Sequence, residues 1–539
     1  MKFGKYYLLI IFISLLPLYS IFTTSKLLHT HDGLVHLPRI AAYFKALMDL
    51  QIPVRWAGDL NYGYGMPLFN FMYQIPYLFS SVFIFLGFSL VNSFKIVLSL
   101  SYILSGIFMF AFASRFFKDA RKGFLVTVFY QFAPFRLIEV LTRGSFGEVY
   151  TYAFFPLVLF GLVSLSRKIN YFNFLLTAFA VGFLILSHNS LSLVFFTICA
   201  GFIFVVAKER KNYIFNFASL LTGLLLASFY WIPAIFEHKY TYGDLFMKNM
   251  YLSHFPPLLN FFIPNFTNDL RFQTGGISVQ FGIFHVIGII LSIIFFMKKR
   301  DLSSKKIIIF SLFVTSVAIF FMQSVSKIFW ENISMLRQFQ FPWRFLAVMV
   351  FTTSIFSVSF LNLSIFRKNI YYAILIIVVI LSTVHYWNPP LGFDKIDEKY
   401  YWNFPLTTTY YGETDVIWSE GPAKLYPKNR VDVIGGRAQI SNFTKKSNLQ
   451  TFKVSAQTNA QLVDHTQYFP GWKVYSNGKQ VPIEFQDQNW RGQITFYLPK
   501  GENLVRVEFG ENPIRIVADV LSLITAGGIL GFGIIKKLA

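Results

Sequence analysis

The stretch His31-Asp32-Gly33-Leu34-Val35-His36-Leu37-Pro38-Arg39 carries the densest set of chemically able side chains in the chain. Asp32 and His36 are four positions apart and Arg39 is three further on, so a helical segment would put all three on one face, with Pro38 limiting its regularity. A carboxylate can take a proton from an attacking hydroxyl, an imidazole can share that work, and a guanidinium can hold a phosphate oxygen. The plainer reading makes Asp32 the N-cap of a helix running to Leu50. A second element, Arg143-Gly144-Ser145-Phe146-Gly147-Glu148, ends on an acid that opens an apolar helix, where the helix dipole alone favours a carboxylate. Arg39, Arg143 and Arg344 are candidate phosphate contacts because a guanidinium fork matches two phosphate oxygens, although each also fits a snorkelling interfacial anchor. His188, Tyr64 and Glu237 complete the candidate substrate contacts, a lone His such as His188 being more often structural than catalytic.

The elements that must position these residues are membrane helices. The chain has 539 residues, 55% hydrophobic and 14% charged, with mean hydropathy +0.51, which excludes soluble, disordered, fibrous and disulfide-scaffold classes. Its net charge of +22 comes from 48 basic and 26 acidic residues. The basic residues cluster in short connections between apolar runs, as cytoplasmic loops require, so no nucleic-acid partner is implied. Cys199, the only cysteine, lies inside an apolar run, which excludes disulfides and Cys-based zinc sites.

The hydropathy pattern predicts a polytopic α-helical membrane protein with about 12 spans. These are the N-terminal run and residues 95–116, 123–140, 149–166, 171–188, 190–207, 213–232, 279–297, 306–325, 344–364, 370–388 and 514–535. Basic clusters at Lys118 to Lys122, Arg167-Lys168, Lys208 to Lys211, Lys298 to Lys306, Arg367-Lys368 and Lys536-Lys537 fall at alternate connections, placing both termini in the cytoplasm of a multi-pass cell-membrane protein. Residues 68–88 would break that parity if they spanned, and read instead as a re-entrant or interfacial segment of a first outer loop, 25–94. A long outer loop covers 233–278. The division is a transmembrane module, 1–388, an extracytoplasmic β-sandwich, 389–512, and a final membrane helix, 513–539. Within the sandwich, Trp472 to Phe485 reads as a hairpin on Asn477-Gly478, and Ile494 to Phe509 as a second hairpin through Pro499-Lys500-Gly501. Trp472 fills its core, and structural support is its first-ranked role. Helix middles are nearly free of charge, Asp519 being the main exception; this points to chemistry at the outer interface rather than to proton-coupled transport.

This arrangement resembles the GT-C superfamily of membrane glycosyltransferases. More closely, Asp32-x-x-x-His36-x-x-Arg39, Gly63-Tyr64-Gly65-Met66-Pro67, Arg143-Gly144-x-x-x-Glu148, Ser187-His188-Asn189, Tyr230-Trp231-Ile232-Pro233, Phe341-Pro342-Trp343-Arg344-Phe345 and Phe469-Pro470-Gly471-Trp472 resemble the bacterial and archaeal membrane proteins called 6-pyruvoyl-tetrahydropterin synthase-related, and their YfhO-like relatives. The resemblance runs through nearly the whole chain. It implies transfer of a sugar from a polyprenyl-phosphate-linked donor to an envelope glycan, lipid or protein acceptor, inverting and at the outer leaflet. Asp32 would be the general base, with His36 assisting. Glu148 would position the acceptor or, together with Asp32, hold a divalent cation such as Mg or Mn if one is used. The chain departs from the oligosaccharyltransferases in having no double-acid motif beside Asp32, whose neighbours are His31 and Gly33, and no WWD acceptor motif. A lipid-linked glycan flippase and a non-catalytic envelope scaffold are the alternatives.

Overall fold

In the computed structural model, which describes residues 4–263, 276–298, 305–409 and 412–538, prolines and caps decide where the apolar runs are cut into helices. Seven helices among the described residues are long and apolar enough to cross a membrane: Gly4–Phe22, Leu90–Phe117, Glu148–Arg167, Asn189–Val206, Lys305–Met322, Pro342–Asn362 and Pro513–Gly531. Two further runs are bent pairs, Ala120–Gln131 with Pro134–Arg143 at 53° and Arg210–Leu226 with Ser228–Phe236 at 69°. Pro134 accounts for the first bend, because the residue before a proline is pushed out of the helical region, and Ala133 is extended at φ −67°, ψ 132°. Three other expected spans form helices of only 15, 15 and 13 residues, Tyr171–Ile185, Ile283–Met297 and Asn369–Leu381. The chain is therefore a helical membrane-type protein with seven to nine candidate spans among the described residues by length and composition, and the three shorter apolar helices fall below the length such a span needs.

Residues 68–88 form two short helices, Leu68–Phe71 and Ile75–Phe85. The longer has 11 residues, a length of roughly 16 Å that does not cross a bilayer. It packs between the Gly33–Met48 and Leu90–Phe117 helices, and its start is pinned by the Gln74 and Ile75 amides, which donate to Leu186 O at 3.0 and 3.1 Å.

The basic clusters gather at one end of the bundle. Asp119 caps the Ala120–Gln131 helix by accepting from Arg121 N and Lys122 N, Arg121 Nη1 donates to Arg367 O at 3.1 Å, and Asn212 Nδ2 donates to Ser166 O at 3.1 Å. Lys299 and Arg300 lie outside the described residues, as do part of the 233–278 loop and the side chains beyond 531.

The C-terminal strands form two sheets. One has five strands in the order β4 (Ala438–Lys445), β5 (Leu449–Ala456), β10 (Gly501–Phe509), β7 (Trp472–Ser476), β8 (Lys479–Val481); the other has three, β3 (Val431–Gly435), β6 (Ala460–Gln467), β9 (Gln493–Leu498). A separate two-stranded pair joins β1 (Leu27–Leu28) to β2 (Phe393–Asp394). Alternate residues of both larger sheets, among them Phe452, Val474, Leu462 and Phe496, turn into one shared core with Trp472, so the unit is a sandwich. The β7–β8 hairpin turns on Asn477 and Gly478, both at positive φ (49° and 78°), the twist a two-residue hairpin requires, and β8 stops before Pro482. The second expected hairpin does not form. β9 pairs with β6 and β10 with β5 and β7, so the Pro499-Lys500 corner carries the chain from one sheet to the other. Alternation along each strand is identical in the two arrangements and does not distinguish them.

Trp56 of the first loop enters the sandwich core, packing edge-on to Trp472 at 5.3 Å. Arg55 beside it donates to Glu511 at 2.9 Å and to Asp519 at 2.8 Å. Asp519, the one conspicuous charge inside an expected span, is thus the partner of a first-loop arginine.

Candidate active site

The main chain brings the two acidic loops together. His31 N donates to Thr142 O at 3.1 Å and Asp32 N to Arg143 O at 2.9 Å. This approach depends on Gly144, which lies at φ +62° and whose added Cβ would sit 2.3 Å from Thr30 Oγ1. Glu139–Arg143 forms a π-helical turn, a widened geometry common at functional sites, which ends at Gly144.

Neither acid is a cap. Asp32 occupies the N-cap position of the Gly33–Met48 helix, yet its side chain takes no cap hydrogen bond; Thr30 Oγ1 accepts from Gly33 N at 3.0 Å instead. Glu148 is the first residue of its helix and turns to arginines. Arg143 Nη1 and Nη2 donate to its two oxygens at 3.0 and 3.1 Å, and Arg344 Nε donates to Oε1 at 3.0 Å. Arg143 Nη1 also donates to Glu139 Oε1 at 2.6 Å. Glu139, Arg143 and Glu148 are buried, and Arg344 is 8% exposed. Two carboxyl groups and two guanidiniums therefore form a nearly dry tetrad. Such clusters rarely repay their desolvation in stability. The planes of Arg143 and Arg344 lie over Trp343 and Phe341, at 4.7 and 4.9 Å, and Arg344 Nη1 is held by Phe339 O and Gln340 Oε1 at 2.7 and 2.8 Å.

Two imidazoles flank the tetrad. His188 caps the Asn189–Val206 helix through Nδ1, which accepts from Leu191 N at 3.2 Å. Nε2 then carries the proton of the neutral ring, and it faces Glu148 Oε1 at 3.8 Å. Burial pushes the His188 pKa down to about 3, against the pull of Glu148 and with Arg344 and Arg143 adding to the drop, so the ring is neutral near pH 7. His36 Nδ1 is hydrogen-bonded to Tyr77 Oη at 3.0 Å, and burial followed by the Arg39 charge holds its pKa well below the usual range. Tyr73 links the two, stacked on Tyr77 and on His188 at 5.5 Å each. The Tyr73 ring lies where a Cβ on Gly147 would be, 2.5 Å away, which explains the second glycine of the Arg143 to Glu148 motif.

Asp32, His36, Arg39, Arg143, Glu148, His188 and Arg344 all line one cavity of about 1370 Å³. Arg39 is anchored to Thr408 O, in the segment that leads into the sandwich, and Glu413 and Thr414 of that segment line the cavity too. Two expected contacts are elsewhere. Tyr64 sits at the joint with the sandwich, its carbonyl accepting from Gln467 N at 2.8 Å and its ring edge-on to His465. Glu237 is fully buried, accepting from Asn70 Nδ2 at 2.6 Å, from Arg515 Nε at 3.0 Å and from Asn512 Nδ2. Sequence reasoning missed Glu139 and Tyr73 as members of the site; Glu139 had a signal in its i, i+4 spacing to Arg143.

Asp32 and Glu148, the pair expected to hold a divalent cation if one is used, do not fit it in this arrangement. Both Glu148 oxygens are within 3.1 Å of guanidinium nitrogens, whose charge repels a dication. Among the described residues, no three His, Cys, Asp or Glu side chains gather as a metal-ligand group.

Residues 69–389 match the model of the 6-pyruvoyl-tetrahydropterin synthase related domain, described as a membrane protein. An uncharacterized protein of Lactococcus lactis subsp. cremoris is 25% identical over 242 residues, 43% of this chain and 39% of that protein. Among solved structures, the arabinofuranosyltransferase AftD from Mycobacteria is 15% identical with a TM-score of 0.46, over 73% of this chain and 28% of that one. The apo oligosaccharyltransferase of Archaeoglobus fulgidus is 11% identical with a TM-score of 0.42, over 78% of this chain and 61% of that one. The chain thus spans less than two thirds of the length of each of these proteins. With more than half of its residues inside the family match, the chain belongs to the 6-pyruvoyl-tetrahydropterin synthase related family of membrane proteins.

Proposed function

We propose that the protein is a membrane glycosyltransferase that moves a sugar from a polyprenyl-phosphate-linked donor to an acceptor hydroxyl on the extracytoplasmic side, inverting the anomeric centre. The observation that carries the reading is the single cavity in which Asp32, on one loop, meets the desolvated Glu148–Arg143–Arg344 cluster of the next. Asp32 takes the acceptor proton as the acceptor oxygen bonds to the anomeric carbon. The bond from that carbon to the phosphate oxygen breaks, and its electron pair leaves on the polyprenyl phosphate.

Arg39, Arg143 and Arg344 answer the growing charge on that leaving group. Glu148 holds the latter two guanidiniums in place beforehand, so little reorganisation accompanies the reaction. His36 and His188 supply neutral hydrogen-bonding edges. Leu193, Leu224, Trp231 and Ile235 form an apolar flank of the cavity that suits the lipid chain. The gathering of basic clusters at the opposite end of the bundle supports the outer placement of the site. The acceptor is an envelope glycan, lipid or protein.

The test is transfer of labelled sugar from a panel of polyprenyl-phosphate donors in membranes carrying the protein, with and without chelator. Transfer that survives chelation is expected. Absence of transfer across the panel, with lipid-linked sugar still crossing the bilayer, would replace the reading with that of a transporter.

A further inference from the structure

Behind the cavity wall, and outside its lining, lies a group of buried polar atoms that the protein leaves unmatched. Arg136, Glu139 and Tyr152 are each fully buried. The Arg136 guanidinium lies 4.4 Å from the centre of the Tyr152 ring, donates from Nη2 to Ser105 Oγ at 3.2 Å, and lies within electrostatic range of Glu139. Among the described residues, Arg136 Nε and Nη1, Tyr152 Oη and Glu139 Oε2 find no protein partner. Neighbouring tyrosines differ: the hydroxyls of Tyr102, Tyr130 and Tyr150 donate to Gln131 O, Tyr152 O and Val97 O at 2.6, 2.9 and 2.9 Å.

Buried polar atoms are almost always satisfied, and the unmatched set here has mixed character. The guanidinium offers donors and the carboxylate oxygen needs one. An anion would satisfy Arg136 and be repelled by Glu139, and a cation would do the reverse. A molecule that both accepts and donates meets all of them, and none of the three side chains lines the cavity. We propose that Arg136, Tyr152 and Glu139 enclose an internal hydration site of ordered water, separate from the cavity, that holds the second oxygen of Glu139 and through Glu139 fixes Arg143. The proposal stands whether or not the cavity transfers sugar.

The experiment is hydroxyl-radical footprinting by X-ray radiolysis of the full-length protein in lipid nanodiscs, read residue by residue by mass spectrometry, since bound water labels side chains that bulk solvent does not reach. Tyr152 is expected to label several-fold faster than Tyr150, whose hydroxyl is spent on Val97 O, and Arg136→Met to bring Tyr152 down to the Tyr150 rate. Equal rates for Tyr152 and Tyr150 in the wild type would overturn the proposal. So would fast Tyr152 labelling that persists in a folded Arg136→Met protein. If that variant fails to fold, the wild-type comparison alone decides.

Discussion

Arg515 and Glu237 make a buried ion pair at 3.0 Å, and so do Arg344 and Glu148. Around the first, each side-chain nitrogen and oxygen of the pair has a partner within the fold. Glu237 takes Asn70, Asn512 and Arg515, while the two other Arg515 nitrogens donate to Gly510 O and Pro470 O beside the Phe469 and Phe509 rings. This knot ties the last helix to the first loop and to the sandwich. Around the second, the same two functional groups stand on the wall of a cavity with Asp32, two neutral imidazoles and a second buried carboxylate beside them. A buried Arg–Glu pair thus says little by itself about its role; what the pair faces decides it.

The comparison is broken most easily by removing one partner of each knot. Glu237→Ala leaves a buried, unpaired Arg515, and a destabilisation of about 3–5 kcal/mol is expected, with transfer per folded molecule unchanged; thermal melts in detergent beside a transfer assay check both. Arg344→Ala is expected to cost on the order of a hundredfold or more in transfer, measured per folded molecule, where Arg515→Ala costs none. Equal catalytic losses for the two arginines would erase the distinction.

Gly144→Ala places a methyl group against Thr30 at a positive φ, and a loss of about 1–3 kcal/mol is expected from the strained backbone. Transfer should fall with it, because the two acidic loops separate. A further effect is that of pH. His188 stays neutral when folded, whereas the unfolded ring takes up a proton below about 6.5. Between that value and the folded pKa of about 3 the unfolded state binds more protons, so stability falls as pH is lowered through this window. Melting curves from pH 7.5 down to pH 4.5 should show a slope that His188→Gln flattens.

Part of the fold and of the site was legible before the structure, and the part that was not has a physical cause. Asp32, His36 and Arg39 share a helix face because their spacing puts them there, and the Asn477-Gly478 hairpin follows from turn chemistry. Glu237 looked like Glu148 because both are acids in connections at the same end of the bundle. What separates them is Arg515, 278 positions along the chain from Glu237. The arginine contacts of Glu148 reach from Arg143, five residues away, to Arg344, 196 residues away, so only the near half of that knot was visible in the spacing. The expected spans that form short helices are a related case: the 15-residue Tyr171–Ile185 helix keeps Phe172 and Phe179 exposed, and a hydropathy window shows neither where a helix ends nor what its apolar face meets.

The most direct test sets Asp32→Asn beside Glu237→Gln, measuring sugar transfer and melting temperature of each at matched folded protein. Asp32→Asn is expected to lose on the order of a hundredfold or more in transfer per folded molecule while melting above Glu237→Gln. Glu237→Gln is expected to show the opposite, a lower melting temperature with transfer retained. Full transfer by Asp32→Asn would contradict the central claim that this loop carries the base.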